Sequence, residues 1–129
     1  MRIVIVGDGK VGYTLTERLA SEGHDIVVID NNSRNLTALG NSLDVITVLG
    51  NGASYAVQRE AGVEHSDLLI AVTSMDEINM LCCLLAKKLG VKHTIARVRN
   101  PDYAEQLLYL KDELGLSMAV NPEMSAALE

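Results

Sequence analysis

A strand that runs into closely spaced glycines and leaves them as a helix restricts a chain to few folds. Residues 3 to 30 read IVIVGDGKVGYTLTERLASEGHDIVVID. An aliphatic run meets Gly7, Gly9 and Gly12 in the pattern G-x-G-x-x-G, an amphipathic segment follows, and a second aliphatic run stops at Asp30. Each glycine has its own task in such a turn: Gly7 for the tight bend, Gly9 for close approach of backbone to a pyrophosphate, Gly12 for packing helix on strand. The helix beginning at Lys10 would present unbonded N–H groups and a partial positive charge to phosphates. Asp30 follows Gly12 by 18 residues, a position from which a carboxylate accepts hydrogen bonds from both ribose hydroxyls.

That acid also repels a 2′-phosphate, so NAD(H) is expected over NADP(H), with Arg34 near enough to soften the discrimination. ATP or ADP suits the same adenosine site equally well. Lys10 either meets a terminal phosphate or stays solvated in the first helical turn.

The rest of the chain repeats the alternation. Strands are expected at Arg2–Val6, Asp25–Asp30, Asp44–Leu49, Asp67–Val72, His93–Val98 and Ser117–Val120. Helices are expected at Lys10–Glu22, Ser33–Asn41 with Asn32 or Ser33 as cap, Tyr55–Ala61, Asp76–Leu89 closed by Gly90, and Pro101–Leu114. Pro122 suits the first turn of one more helix. Six aliphatic strands alternating with helices predict an α/β, Rossmann-like, doubly wound and mainly parallel sheet in a single domain over residues 1–129.

Composition narrows the function. With 48% hydrophobic residues the chain can fill a core, and with four Tyr, no Phe and no Trp that core must be aliphatic. The formal charge of −6, with no basic run, argues against a nucleic-acid partner. Cys82 and Cys83 are adjacent on a predicted helix, about 100° apart, and are expected to be buried thiols rather than a disulfide or metal pair. No signal peptide is expected, because the first strand starts at Arg2. The longest apolar stretch, Met80 to Ala86, falls well short of the roughly 20 residues of a membrane span, so a cytoplasmic location without direct membrane insertion is expected.

Other strand ends would share the edge of the sheet that carries the glycine loop. Asn51, Gly52 and Ala53 follow the third strand, where small residues allow an adenine ring near backbone. Thr73 and Ser74 follow the fourth and could face the distal half of a dinucleotide, while Asp76 either joins them or caps the next helix. Arg97 and Arg99 flank Val98 on one face, positioned for a phosphate. His24 and His65 lie in turns before strands and His93 begins the fifth, all at the end opposite this edge. No Cys–His pair, metal-ligand spacing or Ser–His–Asp arrangement accompanies the loop, so a binding function is expected rather than catalysis. The alternative is an NAD-dependent oxidoreductase fragment lacking its catalytic domain.

The segments MRIVIVGDGKVG with VVID, VLGNGASYAVQREAGVEHSDLLIAVTSMDEINMLCC, IARVRNPDYAEQL and AVNPEMSAALE together resemble the N-terminal RCK, or KTN, lobe of the Trk/Ktr potassium-transport regulators. The resemblance spans nearly the whole chain and implies a cytoplasmic regulatory subunit that binds NAD(H) or ATP/ADP and gates a membrane potassium channel or transporter. By position it puts Gly7, Gly9, Lys10, Val11 and Gly12 at the phosphates, Asp30 at the ribose, and Asn51 and Gly52 near adenine. Thr73 and Ser74 fall near the distal end, and Arg97 near a phosphate. Asn51 departs from the Asp that many relatives carry. Asp8, Asn31, Arg34, Ala53, Asp76 and Asn79 complete the expected cofactor-binding set. The family's second lobe would follow the helix near 122–129; here the expectation is either a chain cut short before it or a protein that lacks it. Finally, Ile78 to Ala86 is apolar but for Asn79, too wide for one buried stripe. A homodimer is expected, and the resemblance extends this to a larger ring.

Overall fold

Arg2–Val6 forms β1, and four of its five residues are buried. Ile3 and Ile5 turn to one face of the sheet and Val4 and Val6 to the other, so one strand feeds two cores. The structure is a computed structural model and describes residues 1–114 and 118–120. Around β1 the chain adds α1 (Lys10–Ser21), β2 (Asp25–Asp30), α2 (Ser33–Ser42), β3 (Ile46–Leu49) and α3 (Tyr55–Glu60). A single 3₁₀ turn, Val63–His65, leads into β4 (Leu68–Ala71) and α4 (Asp76–Leu89). Then come β5 (His93–Arg97), α5 (Pro101–Leu114) and β6 (Met118–Val120).

The six strands are parallel and ordered β3-β2-β1-β4-β5-β6. The doubly wound sheet expected from the alternation is therefore present. Ile3, Ile5, Val28 and Ile70 pack against α1 and α2 through Leu15, Leu19, Leu36 and Leu39. On the other face Val4, Val6, Leu69 and Ala96 meet Cys82, Cys83 and Ala86 of α4, with Leu107 of α5. Chain order reverses between β1 and β4, which opens a crevice at their carboxyl ends.

Element ends follow local chemistry. Asn32 caps α2, its side chain accepting from the N–H groups of Arg34 and Asn35. At the far end of α4, Gly90 adopts φ 109°, donates to Lys87 O, and lets Val91 N donate to Ala86 O, the paired closure a left-handed residue permits. β3 starts two residues later than the alternation predicted, at Ile46; it is an edge strand with only Val48 buried, so the apolar pattern lacks a second face to bury. β4 and β5 likewise stop one residue short, at Ala71 and Arg97, although Val72 N still donates to Val6 O at 2.9 Å and both Val72 and Val98 are buried. The helix expected from Pro122 lies outside the described residues. Among the described residues no helix is long and apolar enough to cross a membrane.

Candidate nucleotide site

The crevice at the switch point is a cleft of about 550 Å³. Its floor is the glycine loop, and each glycine answers to a separate contact. Gly7 has φ 103°, and a Cβ there would stand 3.0 Å from Thr73 N, so the first bend needs both the left-handed backbone and the missing side chain. A Cβ on Gly12 would overlap the Gly7 carbonyl oxygen. The third glycine thus lets α1 press on the loop itself. A Cβ on Gly9 would meet nothing within 4 Å, which leaves that stretch of backbone open. Gly9 is also the N-cap of α1, makes no side-chain cap, and no acidic residue sits in the first turn. The N-terminus of a twelve-residue helix therefore faces the cleft with its N–H groups unclaimed by a side chain.

Asp30 ends β2 at the edge of the same cleft. One carboxylate oxygen accepts from Asp8 N at 2.9 Å and from Asn35 Nδ2 at 3.2 Å, and the other from Asn32 N at 3.2 Å. These bonds fix its rotamer; Oδ2 accepts twice, while Oδ1, with one bond, keeps a lone pair for a ligand hydroxyl. Asp8 is the less comfortable neighbour. The residue is 6% exposed, and its buried Oδ1 has no hydrogen-bond partner among the described residues. Burial first, and the negative charge of Asp30 second, push its carboxyl up to about 6.

Across the cleft stand Thr73, Ser74, Arg97 and Arg99. Asn79 of α4 braces this wall. Its Oδ1 accepts from Thr73 N at 2.8 Å and Thr73 Oγ1 at 2.6 Å, while its Nδ2 donates to Thr73 O at 3.1 Å and Arg97 O at 2.8 Å. Asp76 performs a parallel service, accepting from Arg99 N at 3.0 Å and Asn100 N at 2.7 Å through Oδ2. Arg99 in turn donates through Nη2 to Ser74 O at 3.2 Å. The Arg97 Nε is buried and has no partner among the described residues. At the third side, Asn51 closes its own turn by accepting from Ala53 N at 2.9 Å. A Cβ on Gly52 would collide with Val6, so its smallness serves packing on β1 beside whatever it offers a base. Fully buried Gln58 ties this loop to α4, its Nε2 donating to Gly52 O at 2.8 Å and Cys82 O at 3.1 Å.

The structure brings together twelve of the residues expected from sequence: Gly7, Asp8, Gly9, Lys10, Val11, Asp30, Asn31, Asn51, Gly52, Thr73, Ser74 and Arg97. Gly12, Arg34, Ala53, Asp76 and Asn79 lie outside the lining. Gly12 is covered by the loop, and Asp76 and Asn79 are committed to backbone groups of the two strand-end loops. Asp76 is the first residue of α4 rather than its cap, a place taken by Met75. Asn32, Asn35, Met75 and Ile78 line the cleft without having been singled out, and Arg99 joins Arg97 as the shared face of the two arginines implied. Asn32 and Asn35 carried a signal, since the turn after an acid-ended strand must point the next helix back at that acid.

A second cleft, about 760 Å³, opens at the other end of the sheet beside His24, Asp25 and Asp44. Ser21 and Ser42, the last residues of α1 and α2, line it, so the helix dipoles there disfavour an anion. His65 precedes β4 and His93 begins β5 at that end. Both cysteines are free and buried, with the Cys82 thiol pushed up to about 12 by burial.

The chain matches the family profile of the TrkA-N domain over residues 3–122. It is 42% identical over all 129 residues to a Trk system potassium uptake protein TrkA homolog from Archaeoglobus fulgidus, of which it spans 29%. Among solved structures it resembles the TrkA-N domain of the inner membrane protein ybaL from Escherichia coli. That likeness has a TM-score of 0.85 and 25% identity, and covers 98% of this chain and 90% of the other. A GsuK channel bound to NAD matches with a TM-score of 0.76 and 26% identity over 92% of this chain and 21% of that one, and the same channel has been solved bound to ADP. A profile that takes in nearly every strand and the whole cleft leaves one assignment: the chain belongs to the TrkA-N domain family.

Proposed function

We propose that this chain is the nucleotide-sensing lobe of a regulatory protein for potassium movement across a membrane, and that its ligand is NAD(H), with ATP or ADP as the alternative. One observation carries the reading: an uncapped helix N-terminus and a fixed carboxylate, Asp30, meet in one cleft at the switch point of a doubly wound sheet. The helix end and backbone N–H groups of Gly9, Lys10 and Val11 receive phosphate, and Asp30 receives ribose hydroxyls. Lys10, Arg97 and Arg99 supply the cations around the same space. The relatives' name, potassium uptake protein, and the NAD and ADP carried by the related channel favour this assignment over an oxidoreductase fragment. The three histidines stand at the far end of the sheet, away from any bound nucleotide.

Regulation then requires the nucleotide to bind one arrangement of the protein better than another. α4 offers the means, since Ile78 lines the cleft while Leu81, 49% exposed, lies on its outer surface. A homodimer through that surface, and a larger ring built from such dimers, would transmit the change to a membrane partner from the cytoplasmic side. Calorimetry on dialysed protein tests the reading. NAD⁺, NADH, ADP or ATP binds the wild type, and Asp30→Ala weakens that binding by about tenfold or more. Unchanged affinity in the variant would remove Asp30 from the site.

A further inference from the structure

Asp8 puts a carboxylate into the loop that the nucleotide reading assigns to phosphate, and the fold does nothing to neutralise it. Its own N–H is spent on Asp30 Oδ2 at 2.9 Å, so the two acids are adjacent with no cation between them. The residue is 6% exposed, Oδ1 is buried and unpartnered among the described residues, and the residue lines the cleft. Lys10, one residue beyond Gly9, is exposed on α1 and makes no ion pair with it. From β2 the only charge facing it is Asp30; from the β5 end, Arg97 and Arg99 line the opposite wall. The α2 terminus contributes neutral Asn32 and Asn35, the β3 end neutral Asn51, and the β4 end neutral Thr73 and Ser74. Asp76 is outside the lining, held by Arg99 N and Asn100 N.

We propose that Asp8 is a specificity determinant of this site: its carboxylate limits how much phosphate charge the glycine loop accepts, and it takes up a proton as a nucleotide binds. The inference rests on the nucleotide reading and goes beyond it. A like charge a few ångströms from a phosphate raises the cost of every further negative charge, and burial keeps water from screening it. Neutralising Asp8, by a proton or by substitution, therefore helps the most highly charged ligand most. The site as built favours a dinucleotide, whose phosphates are diesters, over a nucleoside triphosphate. The carboxyl's elevation to about 6 puts this titration within reach of neutral pH, and a bound phosphate pushes it higher still.

Calorimetry with NAD⁺, ADP and ATP at about pH 8, where all three are fully ionised, separates the outcomes. Asp8→Asn is expected to tighten NAD⁺ about threefold, ADP more, and ATP about tenfold or more. NAD⁺, whose pyrophosphate does not titrate in this range, is expected to bind wild type about threefold tighter at about pH 5.5 than at about pH 8. Its binding heats, compared in two buffers of different ionisation enthalpy, should reveal proton uptake, and both effects vanish in Asp8→Asn. Asp8→Ala, which cannot donate a hydrogen bond as Asn can, should reproduce the ligand order. An equal gain for all three ligands, a loss for ATP, or a pH slope that survives in both variants overturns the proposal. In those cases wild-type binding and its dependence on Asp30 still stand. No binding of any nucleotide by wild type would instead sink the reading on which it rests.

Discussion

Folding carries the Asp8 carboxyl from water into a place beside a second acid, so the folded chain holds its proton more tightly than the unfolded chain does. Raised from 3.8 to about 6, this group contributes stability that is fully present below about pH 4 and is lost as pH rises through about 6. The urea midpoint of Asp8→Asn should therefore draw ahead of wild type between about pH 4 and about pH 7, then keep a constant lead. A lead that does not change with pH would mean that Asp8 is not protonated more readily in the folded state. Gly12 shows the opposite kind of residue, fixed by contact rather than charge. Its hydrogen is all that fits against the Gly7 carbonyl, so the spacing of the glycines records a steric fact as much as a ligand.

At the scale of elements, α4 does more than cover the sheet. Asn79 uses both atoms of its amide to bind Thr73 and Arg97, joining the loops after β4 and β5 into one wall. Removing it strands three part-buried backbone groups, and each such loss costs about 1–3 kcal/mol at most before relaxation and entry of water. Asn79→Ala should lower unfolding free energy by about 2–4 kcal/mol and speed amide exchange at Thr73 and around Arg97. Asn79→Asp should fall between, because it keeps the acceptor and loses the donors. A variant with wild-type stability and exchange would show the wall to be held by the strands alone. Gln58 makes the matching link on the other side, between Gly52 and α4, at the expense of an Oε1 that finds no partner among the described residues. Both loops that flank the cleft thus hang from a single helix.

At the scale of the whole molecule, that helix also carries part of its apolar run to the surface. Cys82, Cys83 and Ala86 face the core, Leu84 and Leu85 are half-buried, and Leu81 is exposed. The breadth of the apolar run is thus only partly accounted for within one chain. If the proposed dimer closes over this surface, Leu81→Glu should convert it to monomer in sedimentation equilibrium while leaving the fold's thermal midpoint nearly unchanged. A pair that persists with the charged variant must use another face. Leu108 and Tyr109 on α5, 81% and 79% exposed, would then be the next place to look.

Much of this protein is written in local pattern. Aliphatic runs of strand length, a glycine-spaced turn and an acid at the next strand end are short-range features, and they determined the sheet, the helices and the edge at which the cleft opens. They could do so because the period of burial and the chirality of a parallel crossover leave little choice of topology. What local pattern could not decide is which polar residues face a ligand and which face the protein. Asp76 and Asn79 have the composition of site residues, yet Asn79 spends its amide on Thr73 and the Arg97 carbonyl, and Asp76 accepts from Arg99 N and Asn100 N, backbone brought from some twenty positions along the chain. Asp8 stands in the expected binding set as one more residue of the loop, and only the fold leaves it buried beside Asp30 with Oδ1 unpartnered among the described residues. Those outcomes depend on distances between elements, and only packing the sheet and helices together sets such distances.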